Sequence, residues 1–312
     1  MERTVVVLGA KGRFGRHAVE AFHANGWRVI AAGRTLEAAQ LPKGVTLKTV
    51  DTMSKASTVA ACEGADVIVN AAHPPYTDWV KAMPTMTANV IAAAQASGAT
   101  VMIPGNVYNY GASMPPVLTE TTPHVPTTGK GKVRVAMEQS FQAANGFQTI
   151  VLRGGDFIEG RDTGNWFETY MTNALAKGAF TYPGRTDAAH AWAYLPDMAR
   201  AMAQLAEKRA ELPQFAEFGF AGLCLTGAEM QAAIERQIGR PLKLKRMPWA
   251  VLKLLGLVQP LMREVVEMRY LWDLPHRIDG GKLSAALPEF VPTPTDKIIA
   301  RAIAHSEVPV AA

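Results

Sequence analysis

The run Thr4 to Leu8 leads straight into Gly9-Ala10-Lys11-Gly12-Arg13-Phe14-Gly15, and this junction constrains the chain more than any other feature. The β-branched run reads as a strand buried on both faces. Phe14, Ala18, Val19 and Phe22 then recur at helical spacing until Asn25-Gly26, and Trp27 to Ala32 reads as the next strand. In a strand–loop–helix of this kind Gly9 allows the tight turn, Gly12 admits a pyrophosphate close to the backbone, and Gly15 lets the helix pack hard on the sheet. The unpaired N–H groups and positive dipole end at the helix start face the anion. Gly9, Lys11, Gly12, Arg13, Phe14 and Gly15 are therefore the expected cofactor loop.

The choice of dinucleotide is read at the end of the second strand. A ribose-binding site places Asp or Glu there. This chain reads Ala31-Ala32-Gly33-Arg34-Thr35, without an acid. Arg34 can pair with a 2′-phosphate through its planar fork, and Arg13 can add a second cation. NADP(H) is expected over NAD(H).

Leu47 to Val50 reads as a third strand, with Asp51 after it as an adenine contact or a solvated loop residue. A helix over 57–63 leads to a strand over 65–70 that ends Asn70-Ala71-Ala72-His73. Small residues there suit close approach of the cofactor, so Ala71, Ala72 and His73 join the candidate site. A helix over 86–97 and a strand over 99–104 follow. The alternation predicts an α/β fold: a Rossmann doubly wound parallel sheet over 1–155, with a smaller mixed α/β substrate lobe over 156–312. A segment near 186–206 is expected to return to the Rossmann sheet.

The totals exclude several classes. Across 312 residues, 48% hydrophobic and 19% charged content suits a well-filled core. Cys62 and Cys224 are the only cysteines, so neither a disulfide framework nor a metal cluster is expected. The net charge of +5 is spread out, and the densest basic run, Lys243 to Arg246, is too brief for a nucleic-acid stripe. The most apolar stretch, Met247 to Met262, is broken by Lys253, Gly256 and Pro260 and falls short of a membrane span. No leader is visible, so the expected setting is cytoplasmic, with a small-molecule substrate and neither nucleic acid nor membrane as partner.

The glycine loop, Asp51, Asn70-Ala71-Ala72, Asn89, Asn106-Val107-Tyr108-Asn109-Tyr110-Gly111, Leu152 to Phe157 and Ala193 to Ala199 together resemble the extended short-chain dehydrogenase/reductase superfamily, in its NAD-dependent epimerase/dehydratase branch. The resemblance implies a hydroxyl that orients substrate, a tyrosine that passes a proton while hydride moves at the nicotinamide, and a lysine one helical turn on. It leaves a homodimer open, through the helices near 86–97 and 133–145.

The catalytic positions depart from that pattern. The strand that should end in serines reads Pro104-Gly105-Asn106. Aligning on Glu138 puts Lys130 at the tyrosine and Arg134 at the lysine; aligning on Lys132 puts Thr128 at the tyrosine. Neither supplies a phenol. Three accounts stay open. Lys130 can act as acid or base, with Arg134 and a cationic nicotinamide driving its pKa down. Tyr108 or Tyr110 can bring a phenol from another direction. The protein can instead bind NADP(H) without turnover, as a redox sensor or scaffold. The candidate catalytic set is Lys130, Arg134, Asn106 and Tyr108.

Beyond Asp156 the sequence predicts a helix over 166–177, a strand and turn at 180–185, a helix capped by Asp197, and a strand over 214–225. Thr226 caps a helix to Ile238, 242–247 alternates as an edge strand, and apolar helices cover 249–257 and 260–274, with Arg263, Glu264, Glu267 and Arg269 as their solvated face. A pocket between the lobes is expected to draw on His73, Asn106, Tyr108, Lys130, Phe157, Trp166 and Trp192.

Overall fold

The computed structural model describes residues 3–35, 41–161 and 163–306. In chain order the first half comprises β1 (Thr4–Leu8), α1 (Arg13–Ala24), β2 (Arg28–Gly33), β3 (Thr46–Thr49), α2 (Lys55–Ala61), β4 (Val67–Asn70), α3 (Trp79–Ser97), β5 (Thr100–Gly105), β6 (Val117–Leu118), α4 (Gly129–Ala143) and β7 (Thr149–Arg153). The second half adds β8 (Asp156–Ile158), β9 (Ala179–Tyr182), β10 (Ala189–Tyr194), α5 (Leu195–Glu207), β11 (Phe215–Gly219), β12 (Leu223–Thr226), α6 (Gly227–Ile238), β13 (Lys243–Arg246), α7 (Trp249–Leu255), α8 (Pro260–Glu267), α9 (Tyr270–Asp273), β14 (Arg277–Ile278), α10 (Gly281–Ala286) and α11 (Thr295–Ala302).

Seven strands form one sheet in the order β11-β7-β5-β4-β1-β2-β3, every pair parallel. The fold is the expected Rossmann-like α/β sheet with helices on both sides. Successive residues of β1 serve opposite faces. Val5 and Val7 pack with α1 and α5, whereas Val6 and Leu8 pack with α2, α3 and α4. Both faces are covered, which is why β1 carries no polar alternation. Leu8 pairs with Ala32 on one side and Asn70 on the other. The glycine loop, the end of β2 and the Asn70-Ala71-Ala72 segment therefore meet at one carboxyl edge, where the strand order reverses between β1 and β4. Ligands of open α/β sheets bind at that switch point.

The C-terminal half departs from the sequence expectations in local ways. The segment expected to return near 186–206 supplies α5 against α1, and the strand that extends the large sheet is β11. The single strand expected over 214–225 is two strands in different sheets, because the chain turns at Gly222 with φ +55°. The helix expected over 166–177 is instead a five-residue π-turn, Phe167–Met171, followed by a short 3-10 turn, Leu175–Lys177. The Thr172 hydroxyl donates to the Phe167 carbonyl at 2.8 Å and so competes with helix propagation. Asp197 is not a cap. It lies inside the first turn of α5, buried, and accepts from Thr293 N at 2.6 Å and Thr293 Oγ1 at 2.8 Å. Thr226 does cap α6, in a reciprocal capping box with Glu229.

Candidate functional site

The start of α1 is arranged as an anion site. Gly9 has φ +77°, and a Cβ there would sit 2.7 Å from the Ala72 backbone. At Gly15 a Cβ would meet the Gly9 carbonyl oxygen at 2.2 Å. Gly9 and Gly15 therefore seal the loop against β4 and against itself, while Gly12 is exposed. Gly12 is the residue before α1 and offers no side-chain cap, and no acid occupies the first turn. The first N–H groups of a twelve-residue helix point outward with the positive dipole end. These features fit a pyrophosphate.

From that loop a cleft of about 420 Å³ runs between the sheet edge and the C-terminal lobe. Of the expected cofactor residues, Arg13, Phe14, Ala71, Ala72 and His73 line it. The Arg13 guanidinium reaches across the cleft, donating to the carbonyls of Thr163 at 3.1 Å and Gly164 at 2.8 Å. Lys11 and Arg34 are exposed and are not among the cleft residues; Arg34 directly follows β2 at its carboxyl end. Asp51 is turned into its own loop, where Oδ1 accepts from Met53 N at 3.0 Å. Asn89 holds the same loop by donating to the Thr52 carbonyl at 2.9 Å.

The four candidate catalytic residues divide. Asn106, Tyr108 and Arg134 line the cleft. Asn106 Oδ1 accepts from Tyr108 N at 3.1 Å, which sets the start of the turn that carries the phenol. Burial, with Tyr76 and Asp156 close by, pushes the Tyr108 pKa well above the ordinary phenol value. Arg134 donates from Nη2 to the Pro104 carbonyl at 2.8 Å, while its buried Nε has no partner among the described residues.

Lys130 is not among the cleft residues. Its ammonium pairs with the carboxylates of Glu264 and Glu267 on α8, and also donates to the Glu264 carbonyl at 3.0 Å. The other oxygen of Glu267 accepts from Gly129 N at 2.5 Å. A lysine in the first turn of a helix opposes the dipole, and here two acids from α8 offset it. Glu264 and Glu267 are thus not the solvated face that the sequence suggested. Trp192, also expected in the pocket, is fully buried in the core of the C-terminal lobe, whereas Phe157 and Trp166 do line the cleft.

Behind the cleft floor lies a buried ionic network. Glu138 on α4 receives Arg153 Nη2 at 2.7 Å, Asn109 Nδ2 at 2.7 Å and Arg134 Nη2 at 3.5 Å. Burial opposes its charge, but the two guanidiniums outweigh that and hold its pKa below the usual carboxylate value. Arg153 also donates to the Asn106 carbonyl at 2.7 Å, so the network fixes the turn bearing Tyr108.

Sequence reasoning missed two cleft groups. Tyr76 adds a second phenol to the wall. Asp156 also lines the cleft and accepts from His190 Nε2 at 2.7 Å. His190 lies 34 positions downstream and reaches Asp156 only because β10 pairs with β8. No local spacing signals that pair.

The sequence model of the NAD dependent epimerase/dehydratase family matches residues 5–218. The chain belongs to this family. No curated protein sequence matches it. Among solved structures, the family member is similar to UDP-glucose 4-epimerase from Brucella ovis in complex with NAD, at TM-score 0.77 and 16% identity over 99% of this chain and 100% of the other. The Bordetella bronchiseptica enzyme WbmH in complex with NAD+ gives TM-score 0.74 and 16% identity, with 98% of each chain covered. UDP-glucose 4-epimerase from Bifidobacterium longum in complex with NAD+ and UDP gives 0.73 and 16%, covering 96% and 97%. These likenesses establish the fold over the full length of the chain.

Proposed function

We propose that this epimerase/dehydratase family member is an NADP(H)-dependent oxidoreductase or epimerase-like enzyme acting on a carbonyl or secondary alcohol. The observation that carries the reading is the single cleft that joins the open start of α1 to Tyr108 and Arg134. Gly9, Gly12 and Gly15 would receive the pyrophosphate, Ala71 and Ala72 would lie along the ribose and nicotinamide side, and Arg34 would meet the 2′-phosphate. The bound dinucleotide supplies hydride. On the alignment through Glu138, Arg134 stands where the family lysine is expected, and its guanidinium on the cleft wall would hold the ribose hydroxyls. Tyr108 is kept protonated by its burial, which makes it a proton donor to the oxygen of a carbonyl under reduction. Asp156, with its carboxylate on the cleft wall, favours a neutral hydroxyl nearby over a second anion.

One observation favours a second reading, a non-catalytic NADP(H) sensor or scaffold. Neither alignment puts a phenol at the family tyrosine, and Lys130, which holds that position when the chain is aligned on Glu138, is locked to α8. Calorimetric titration with NADPH and NADH tests the common ground: saturable binding, tighter for NADPH, is expected, and absence of both overturns either reading. Oxidation of NADPH across a panel of ketones and aldehydes then separates them, since binding without turnover leaves only the sensor.

A further inference from the structure

The 24-residue stretch Arg240 to Arg263 contains Arg240, Lys243, Lys245, Arg246, Lys253 and Arg263 and no carboxylate. The whole chain has a net charge of +5, so the remainder is one charge negative. The stretch holds the protein's entire positive excess. All six cations are exposed, and none forms an ion pair among the described residues.

The stretch runs through β13 and α7 into the first turn of α8, and the hairpin of α7 and α8 has an apolar outer side. Val251, Leu254, Leu255 and Val258 fall at helical spacing and are all exposed, Leu254 by 68%. At the tip, Leu257 is 75% and Val258 77% exposed, and Leu261 adjoins them at the start of α8. A row of large aliphatic side chains turned to solvent is what a soluble surface ordinarily avoids. The inner side of the hairpin is committed: α8 packs on the turn at Tyr76–Asp78, binds Lys130, and contributes Leu261 and Val265 to the cleft.

We infer that the α7–α8 hairpin docks on the surface of an anionic lipid bilayer. The tip residues enter the interface, and Lys253, Arg263 and the exposed cations of β13 meet the headgroup phosphates. Charge complementarity selects this occupant. A second copy apposed through the same stretch would bring twelve cations together, with only the flanking Asp187, Asp273 and Glu264 to oppose them, and a nucleic acid would leave the aliphatic tip unburied. No described helix is long and apolar enough to cross a membrane, and surface docking requires none. The sequence expectation of no membrane partner rested on span length alone. Docked in this way, the cleft opens beside the bilayer, because Leu261 lies both on the exposed patch and on the cleft wall.

The test is co-sedimentation of the full chain with phosphatidylcholine vesicles, with and without phosphatidylglycerol. The protein is expected to pellet with the anionic vesicles, to leave them as salt rises, and to lose roughly fivefold in affinity for each cation replaced by Gln. The double substitution Leu257→Glu, Val258→Glu is expected to weaken binding at least about tenfold while leaving NADPH affinity and Tm unchanged, since both side chains are already in solvent. A wild-type protein that stays in the supernatant with anionic vesicles at low salt overturns the inference. So does sedimentation velocity showing a dimer that the double substitution dissociates. NADPH titration on the same samples keeps the two questions apart: vesicle binding without NADPH binding removes the proposed function and leaves the docking intact.

Discussion

His190 donates to Asp156 across 2.7 Å, and its ring lies parallel to the indole of Trp272 with the centroids 4.2 Å apart. The histidine is thus held from one side by stacking and fixes the carboxylate on the cleft wall. His190 is the only donor to Asp156 among the described residues, which leaves the second oxygen to face the cleft. We predict that Asp156→Asn lowers kcat/KM for the best carbonyl compound of a panel by roughly tenfold to a hundredfold, the worth of a charge-assisted hydrogen bond. NADPH affinity should not move, because the proposed contacts of the coenzyme do not include Asp156. Unchanged kcat/KM in the variant would remove Asp156 from the substrate side of the cleft.

The proposed preference for NADPH makes Arg34 the residue to test. It is the last charged side chain of the β2 edge and stands where an acid would otherwise bind ribose. Arg34→Ala is predicted to raise the Kd for NADPH by about tenfold or more and to leave that for NADH within about twofold, as loss of one charged contact to phosphate implies. A parallel loss for both coenzymes in calorimetry would place Arg34 outside the 2′-phosphate site.

Glu138 is the keystone of the buried charges. Removing it leaves Arg153, about 1% exposed, with Glu217 as its remaining carboxylate partner, and leaves Arg134 with no carboxylate at all. Glu138→Ala should cost about 3–5 kcal/mol in urea unfolding, the usual penalty for breaking a buried pair from one side. Glu138→Gln keeps the acceptor for Asn109 or Arg153 and should cost less. A loss below about 1 kcal/mol for the alanine variant would mean that water replaces the carboxylate.

The parts of this protein that were legible in its sequence are those fixed by neighbours in the chain. The glycine loop could be read because each glycine answers a clash within a few residues or with the adjacent strand. The covered faces of β1 could be read from its unbroken apolar run. The environment of Lys130 could not, since the two acids that hold it come from α8, far downstream. For the same reason Lys130 read as a catalytic acid or base and Glu264 as solvated. The break of the expected 166–177 helix was hidden too. At the start of the π-turn found there, the Glu168 carboxylate accepts from the N–H groups of Thr163 and Gly164 and holds their loop in place.

That loop is also tied to α1, and the tie should depend on pH. His17 on α1 bonds Glu159 at 3.0 Å and Glu20 at 3.3 Å, and Glu159 accepts from the Thr163 hydroxyl at 2.6 Å. Burial opposes the imidazolium, but the hydrogen bonds to Glu159 and Glu20 outweigh it and raise the His17 pKa above 6.5. Burial likewise opposes the Glu159 charge, and the bonds from His17 and Thr163 outweigh it and lower its pKa below 4.5. A raised histidine contributes stability that is full below its unfolded value and is lost as pH rises through the folded one. A lowered carboxylate contributes above its unfolded value and loses it as pH falls through the folded one. The latch is therefore strongest between about pH 4.5 and 6.5. We predict that the stability gap between wild type and His17→Gln, from urea unfolding, is larger near pH 5.5 than near pH 8.5 by about 1–2 kcal/mol. Arg13 is anchored to the carbonyls of Thr163 and Gly164, so NADPH affinity should follow the same pH profile in wild type and flatten in the variant. A gap that is constant across that range would show that His17 stays neutral in the folded protein.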